Sequence, residues 1–267
     1  MANSLVLSLS ALLALVPACI LSYRRQAARP DPVFWAVLAA AVAGPAAYAL
    51  VQLGESWKTG LSTTLWVSIA ASAAIFTLLA AVTREAWRLM ALLLPYLLLM
   101  GGFATIWSHV PARGGLAGAP DAWLSLHVGL AVATYGLCTI AAVAGAAVVL
   151  QERAIKRKRP TGLTHRLPSV SDAQRLQVRL LGASAAVLGL GILTGMARQL
   201  TVTGRLLEFD HKTLLSILAF AVIALLLVLH RVSGLRGARA ARLILLAYLL
   251  LTLAYPGVKF VTDVLIG

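Results

Sequence analysis

Eight stretches of about twenty mostly apolar residues recur along this chain, at about 4–23, 33–53, 61–82, 89–107, 123–151, 178–199, 213–231 and 241–262. Short connections join them. A helix rises 1.5 Å per residue, so roughly 20 apolar residues are needed to cross a hydrocarbon layer of about 30 Å. The pattern therefore predicts an all-α, polytopic integral membrane helix bundle with about eight transmembrane helices. No soluble domain of useful size remains between the spans. With 60% hydrophobic and 12% charged residues and a mean hydropathy of +0.89, a soluble core could not hide the apolar surface. Alternating ten-residue strands, the mark of a membrane β-barrel, are not seen.

The formal net charge of +14 invites a nucleic-acid reading, but the positions of the charges argue against one. When alternate connections are assigned to two sides, six of the 23 basic residues fall on one side: Lys58, Arg113, Arg198, Arg205, Lys212 and Lys259. The rest fall on the other side, concentrated in "ERAIKRKRP" (152–160) and "RVSGLRGARAAR" (231–242). Short connections rich in Lys and Arg stay cytoplasmic, so both termini are expected outside and the charge is read as topology. No nucleic-acid partner is expected; the bilayer, with its anionic headgroups, is. The first span lacks a basic n-region and is followed by Arg24 and Arg25, which reads as an uncleaved span, not a signal peptide. Cys19 and Cys138 fall inside spans and no CxxC exists, so neither thiol exchange nor covalent haem attachment is implied.

Enzymatic motifs are missing. No glycine-rich phosphate loop ends in Lys-Ser/Thr, and no HExxH, GxSxG or paired catalytic carboxylates occur. No catalytic residue is therefore expected. The 152–177 connection should continue the fifth helix for a turn or two and then become irregular around Pro160 and Pro168. Of Trp35, Trp57, Trp66, Trp87, Trp107 and Trp123, most lie near expected membrane edges, and they read as interfacial anchors. In "LLGASAAVLGLGILTGM", Gly182, Ala185, Gly189, Gly191 and Gly195 make a small-residue stripe that lets helices approach closely.

Intramembrane ionisable groups are costly, so the histidines are the natural candidates for function. His127 lies about one turn inside the fifth span, with Ala131, Thr134 and Cys138 on its face. That small, weakly polar stripe should turn into the bundle. His211 opens the seventh span on the same outer side. Two imidazoles at matching depth can ligate one haem iron or metal ion, or can equally be neutral rings bonded to carbonyls. Asp210 is suited to N-cap the seventh span and Lys212 to reach the headgroups. His109 and His165 fall in connections, and His230 ends the seventh span beside Arg231.

Three segments in order, "HVGLAVATYGLCTIAAVAGAAVVLQER", "FDHKTLLSILAFAV" and "GLRGARAARLILLAYLLLTLAYPGVKFV", resemble the cytochrome c assembly membrane proteins. The resemblance is closest to the YpjD and HemX branch and weaker to CcsA and CcmC. It covers roughly 120–267 well, dividing a single membrane domain (1–267) into four N-terminal helices (1–120) and an assembly-like part (121–267). In the haem-handling members, outer-side histidines ligate haem beside a tryptophan-rich loop that ends in an aspartate and then a lysine. His127 falls at the first such histidine, and Asp210 and Lys212 match the loop's end. His211 stands where those members have proline. Their second ligand would fall near Ala254 or Tyr255, where no histidine stands, and "TGRLLEF" replaces the tryptophans.

The resemblance implies a bacterial inner-membrane protein that binds or passes haem non-covalently near the outer face. His127 and His211 would be the axial ligands, with Arg205, Asp210 and Lys212 near the propionates. The alternative it implies is an accessory or regulatory scaffold without haem, presenting the 152–177 basic segment to another membrane or cytoplasmic protein. A small-ion transporter is a third reading, opposed by the lack of acidic residues at mid-membrane.

Overall fold

The computed structural model describes residues 2–24, 29–55, 60–108, 122–204, 211–234 and 237–261. They are helical, with no strand among the described residues. The helices are α1 (Ala2–Arg24), α2 (Pro32–Glu55), α3 (Leu61–Val82), α4 (Met90–Ile106), α5 (Ala122–Lys156), α6 (Gly162–Arg166), α7 (Val170–Thr203), α8 (His211–Val232), α9 (Gly237–Thr252) and α10 (Val258–Phe260). A 3₁₀ turn at Ala86–Leu89 leads into α4, and a π turn at Leu253–Gly257 separates α9 from α10. The chain divides into two compact units. One holds residues 1–118, 154–168 and 259–267; the other holds 119–153 and 169–258.

Among the described residues seven helices are long and apolar enough to cross a membrane. The expected eighth span, 241–262, is not one of them. α9 has 16 residues, or about 24 Å at 1.5 Å per residue, before the π turn interrupts it. Pro256 supplies the reason. It has no N–H to give the Thr252 carbonyl, and its ring would crowd that carbonyl in an α-helix. The turn widens by one residue, and Gly257 comes in beside the carbonyl; a Cβ on Gly257 would lie 3.1 Å from Thr252 O.

In the first unit, α1 packs on α2 and α4, and α3 packs on α2 and α4. Asp31 starts α2: its carboxylate accepts from Phe34 N at 2.8 Å, and Pro32 takes the first helical position. Small residues set the spacing, for a Cβ on Gly44 would lie 2.5 Å from Ala14 Cβ. Trp66 departs from the interfacial role expected of it. It is fully buried, its indole N–H donates to Ser8 Oγ at 3.0 Å, and its ring lies 5.5 Å from that of Tyr48. Ser8 also bonds Thr105 Oγ1 at 2.9 Å, so the indole N–H enters a satisfied hydroxyl pair in place of water.

The basic connection is also more ordered than expected. After α5 ends at Lys156, Thr161 and Thr164 form a reciprocal capping box that starts α6. Arg166 donates to Ser22 O at 3.4 Å and Arg88 reaches Leu167 O at 3.5 Å, tying the segment to its own unit. Ser169 then caps α7 by accepting from Asp172 N, and Asp172 pairs with Arg175.

In the second unit, α8 packs between α7 and α9. Of the α7 glycine stripe, Gly195 makes the close approach, against His127, while Gly189 and Gly191 leave room for a methyl at ordinary contact distance from Phe220 and Leu130. Gly182 makes none, since a Cβ there would meet no atom within 4 Å.

Candidate functional site

α5 carries His127 in its second turn and presents it to α7. Lower on the same face, Thr134 and Cys138 are 2% and 4% exposed, so the weakly polar stripe turns inward as its composition implied. The reason is energetic. Small hydroxyl and thiol groups find partners between helices but none in lipid. Thr134 donates to Leu130 O of its own helix, whereas the Cys138 thiol meets the Ser184 hydroxyl across on α7.

His127 is half-buried, and its Nδ1 lies 3.1 Å from Thr194 Oγ1. The Thr194 hydroxyl gives its own proton to Gly191 O at 2.9 Å. A hydroxyl has one proton, so toward the imidazole Thr194 can only accept. This assigns the proton of a neutral imidazole to Nδ1 and leaves the lone pair on Nε2. Gly195, the next residue, makes room for the ring: a Cβ there would stand 3.0 Å from His127 Cε1. One turn earlier on α5, the Trp123 indole N–H donates to the Thr194 carbonyl at 3.1 Å. Thr194 thus holds two α5 side chains, one through its hydroxyl and one through its backbone.

Deeper in the unit, a hydroxyl cluster joins α5 to α9. Tyr248 OH donates to Tyr135 OH at 3.1 Å, Thr139 Oγ1 lies 3.2 Å from Tyr248 OH, and Thr252 Oγ1 lies 3.5 Å from Tyr135 OH. Thr252 is also the residue whose carbonyl the π turn redirects.

Of the expected site residues, His127 is placed as described. Arg205 and Asp210 lie outside the described residues. His211 and Lys212 form the first turn of α8, but their side chains also lie outside what is described, so the His127–His211 pairing does too. His109 lies outside as well. His165 is exposed on α6, and His230 lines a cleft at the far end of the second unit. Thr194 and Gly195 are the residues that motif reading did not assign to the site. Their signal was a hydroxyl set within the α7 glycine stripe at the depth of His127. Trp123, expected as an anchor, is 44% exposed yet directed by its N–H onto α7.

The arrangement offers one oriented imidazole that, when neutral, spends its Nδ1–H on Thr194 and keeps a lone pair on Nε2. It suits a single axial bond to iron or a hydrogen bond to a ligand. Among the described residues no group of three or more His, Cys, Asp or Glu side chains can hold a bare metal ion. A single imidazole with a lone pair on Nε2 is a donor that would fit a haem iron, most of whose ligands the porphyrin supplies.

Helices of this length and hydropathy, with polar side chains paired between them, define a multi-pass α-helical membrane protein. Residues 57–266 match the family described as "Cytochrome C assembly protein", and the chain belongs to it. The match reaches back through α3 and α4, further than the three segments that carried the sequence resemblance. The chain is 55% identical over 271 residues, spanning all of both chains, to "Uncharacterized 28.8 kDa protein in nifR3-like 5'region" of Azospirillum brasilense. It is 31% identical over 134 residues to "Protein HemX" of Brevibacillus brevis, covering 50% of this chain and 49% of that one. No solved structure matches.

Proposed function

We propose that this protein is a haem-handling component of the bacterial inner membrane that binds haem non-covalently near the outer face. His127 would hold the haem iron through Nε2. The observation that carries the reading is the Thr194 hydroxyl, which accepts from His127 Nδ1 and keeps Nε2 free of its proton. A metal-ligating histidine typically donates its other N–H to a fixed acceptor, which orients the ring and raises its basicity. Bound iron would contribute ligand and electron-transfer chemistry; the chain contributes binding and orientation and forms no covalent bond. His211 is the second candidate ligand, and Arg205, Asp210 and Lys212 are the groups proposed for the propionates. The outer placement of His127 rests on the bias of Lys and Arg toward the 152–177 and 231–242 connections.

The test is the visible spectrum of protein purified in detergent from haem-replete cells. A Soret band that weakens in both His127→Ala and His211→Ala supports the pair, whereas loss with His127→Ala alone leaves the second ligand elsewhere. No band at any haem supply rejects haem binding and favours a scaffold that presents the basic segment to another protein. The capping box of α6 and the Arg166 and Arg88 bonds support that second reading, because they hold Arg157, Lys158 and Arg159 on an ordered, exposed turn. A pull-down lost on reversing those three charges would establish it.

A further inference from the structure

The basic end of α5 closes on two backbone bonds. Lys158 N donates to Ile155 O at 3.1 Å, and Arg159 N donates to Ala154 O at 3.2 Å. This is the Schellman arrangement, with Lys158 in the position just past the cap, where glycine is the usual residue. The φ of Lys158 is 52, in the left-handed region. Among the described residues it is the one residue other than glycine with a positive φ. A Cβ there crowds the following carbonyl and disfavours the conformation roughly fivefold or more.

Two ordinary reasons for a lysine do not require this position. Topology needs Lys or Arg anywhere in the connection, and Arg157 and Arg159 supply them. A cation also suits the negative end of a helix, but Lys156 and Arg157 already stand there without a positive φ. The strain is therefore carried for the charge at position 158 itself.

Arg157, Lys158 and Arg159 are exposed, and none has an ion pair among the described residues. Their turn is fixed on its far side by the capping box of α6 and by the bond from Arg166 to Ser22 O. Just before them Ile155 is 66% exposed, in the last turn of a helix apolar enough to span a membrane. An isoleucine turned outward there calls for hydrocarbon beside it. At 1.5 Å per residue the three cations stand about 3–6 Å beyond it, within a headgroup layer of roughly 5–7 Å on each side of the bilayer. The groups at that level are lipid phosphates.

We propose that Arg157, Lys158 and Arg159 bind the phosphodiester headgroup of an anionic phospholipid, with an acyl chain along Ile155. The occupant is lipid and not protein because Ile155 sets the turn at headgroup depth, where a soluble partner would first have to displace phosphates already within reach. Each cation held at an anionic surface strengthens association about fivefold, which is enough to offset the strained backbone of Lys158.

The test is native mass spectrometry of the full chain in detergent, titrated with phosphatidylglycerol or with phosphatidylcholine of the same chain length. The parent should bind phosphatidylglycerol more tightly. Lys158→Gly relieves the backbone and so keeps the turn; it should weaken phosphatidylglycerol binding about fivefold and leave phosphatidylcholine unchanged. Reversing all three charges should remove the preference. Soluble glycerol phosphate at the same concentration should not displace the lipid. A parent without preference, or a Lys158→Gly variant that binds as the parent does, overturns the proposal. Displacement by glycerol phosphate also overturns it, since the ligand would then be a free phosphate. So does a protein partner that is lost on reversing the charges while lipid binding stays. None of these outcomes depends on haem.

Discussion

Replacing Thr194 with valine keeps the side-chain volume and β-branching but deletes the hydroxyl. Two hydrogen bonds go with it. The bond to Gly191 O is expendable, because that carbonyl keeps its backbone partner in α7. The bond from His127 Nδ1 at 3.1 Å is not, because it leaves an N–H on a half-buried ring without an acceptor. Interhelical hydrogen bonds in membranes average about 0.6 kcal/mol and reach about 1.7, less than an orphaned group costs in a dry core, because the unfolded chain also finds partners. His127 lies near a helix end, so the expected loss falls within that interval, roughly three- to eighteenfold in the unfolding equilibrium constant. The assay is reversible unfolding in mixed micelles for Thr194→Val, His127→Phe and the pair. The double-mutant cycle should return a coupling energy of about 0.6–1.7 kcal/mol. Thr194→Ser should stay close to the parent. A coupling within about 0.3 kcal/mol of zero would refute the Thr194–His127 bond, and with it the assignment of the lone pair to Nε2.

Gly195→Ala should push the imidazole off Thr194, since the new methyl would stand 3.0 Å from Cε1; overpacking of this kind costs about 1–3 kcal/mol, readable in the same unfolding assay. Trp66→Phe keeps most of the buried ring but frees Ser8 from the indole N–H, and should lower stability by about 0.6–1.7 kcal/mol, whereas an interfacial tryptophan would show almost no change. Gly237 starts α9 at φ 66, and a Cβ there would meet the Glu152 carboxylate. Gly237→Ala should cost about 1–2 kcal/mol of left-handed backbone strain in the same unfolding assay, because the flexible Glu152 side chain can turn aside from the new methyl.

Membrane helices are legible in sequence because lipid imposes one rule on every position: apolar outside, with backbone bonds closed within the helix. Hence α1 to α5, α7 and α8 lie where the apolar runs predicted them. The misses come from residues whose role depends on a neighbour. Trp66 reads as an anchor from composition, but a hydroxyl on α1 makes burial the better state for its N–H. Residues 161–169 read as irregular because α6 is only five residues long, and its worth depends on Arg88 and Arg166 finding carbonyls in the same unit. The last span looked continuous because hydropathy does not register the missing N–H of Pro256.

His127 shows the same division at the candidate site. Its depth, its inward face and its place as the first outer histidine follow from spacing along α5, since a helix converts sequence separation into angle and height. Which nitrogen holds the proton does not follow, because that depends on the direction of a hydrogen bond donated by a residue sixty-seven positions away. Only the crossing of α5 and α7 at Gly195 brings the ring and the Thr194 hydroxyl within reach. The chain alone determined where its long apolar helices run and which residues it can least afford to leave in lipid; the packing of one helix on another decided what each of those residues bonds to.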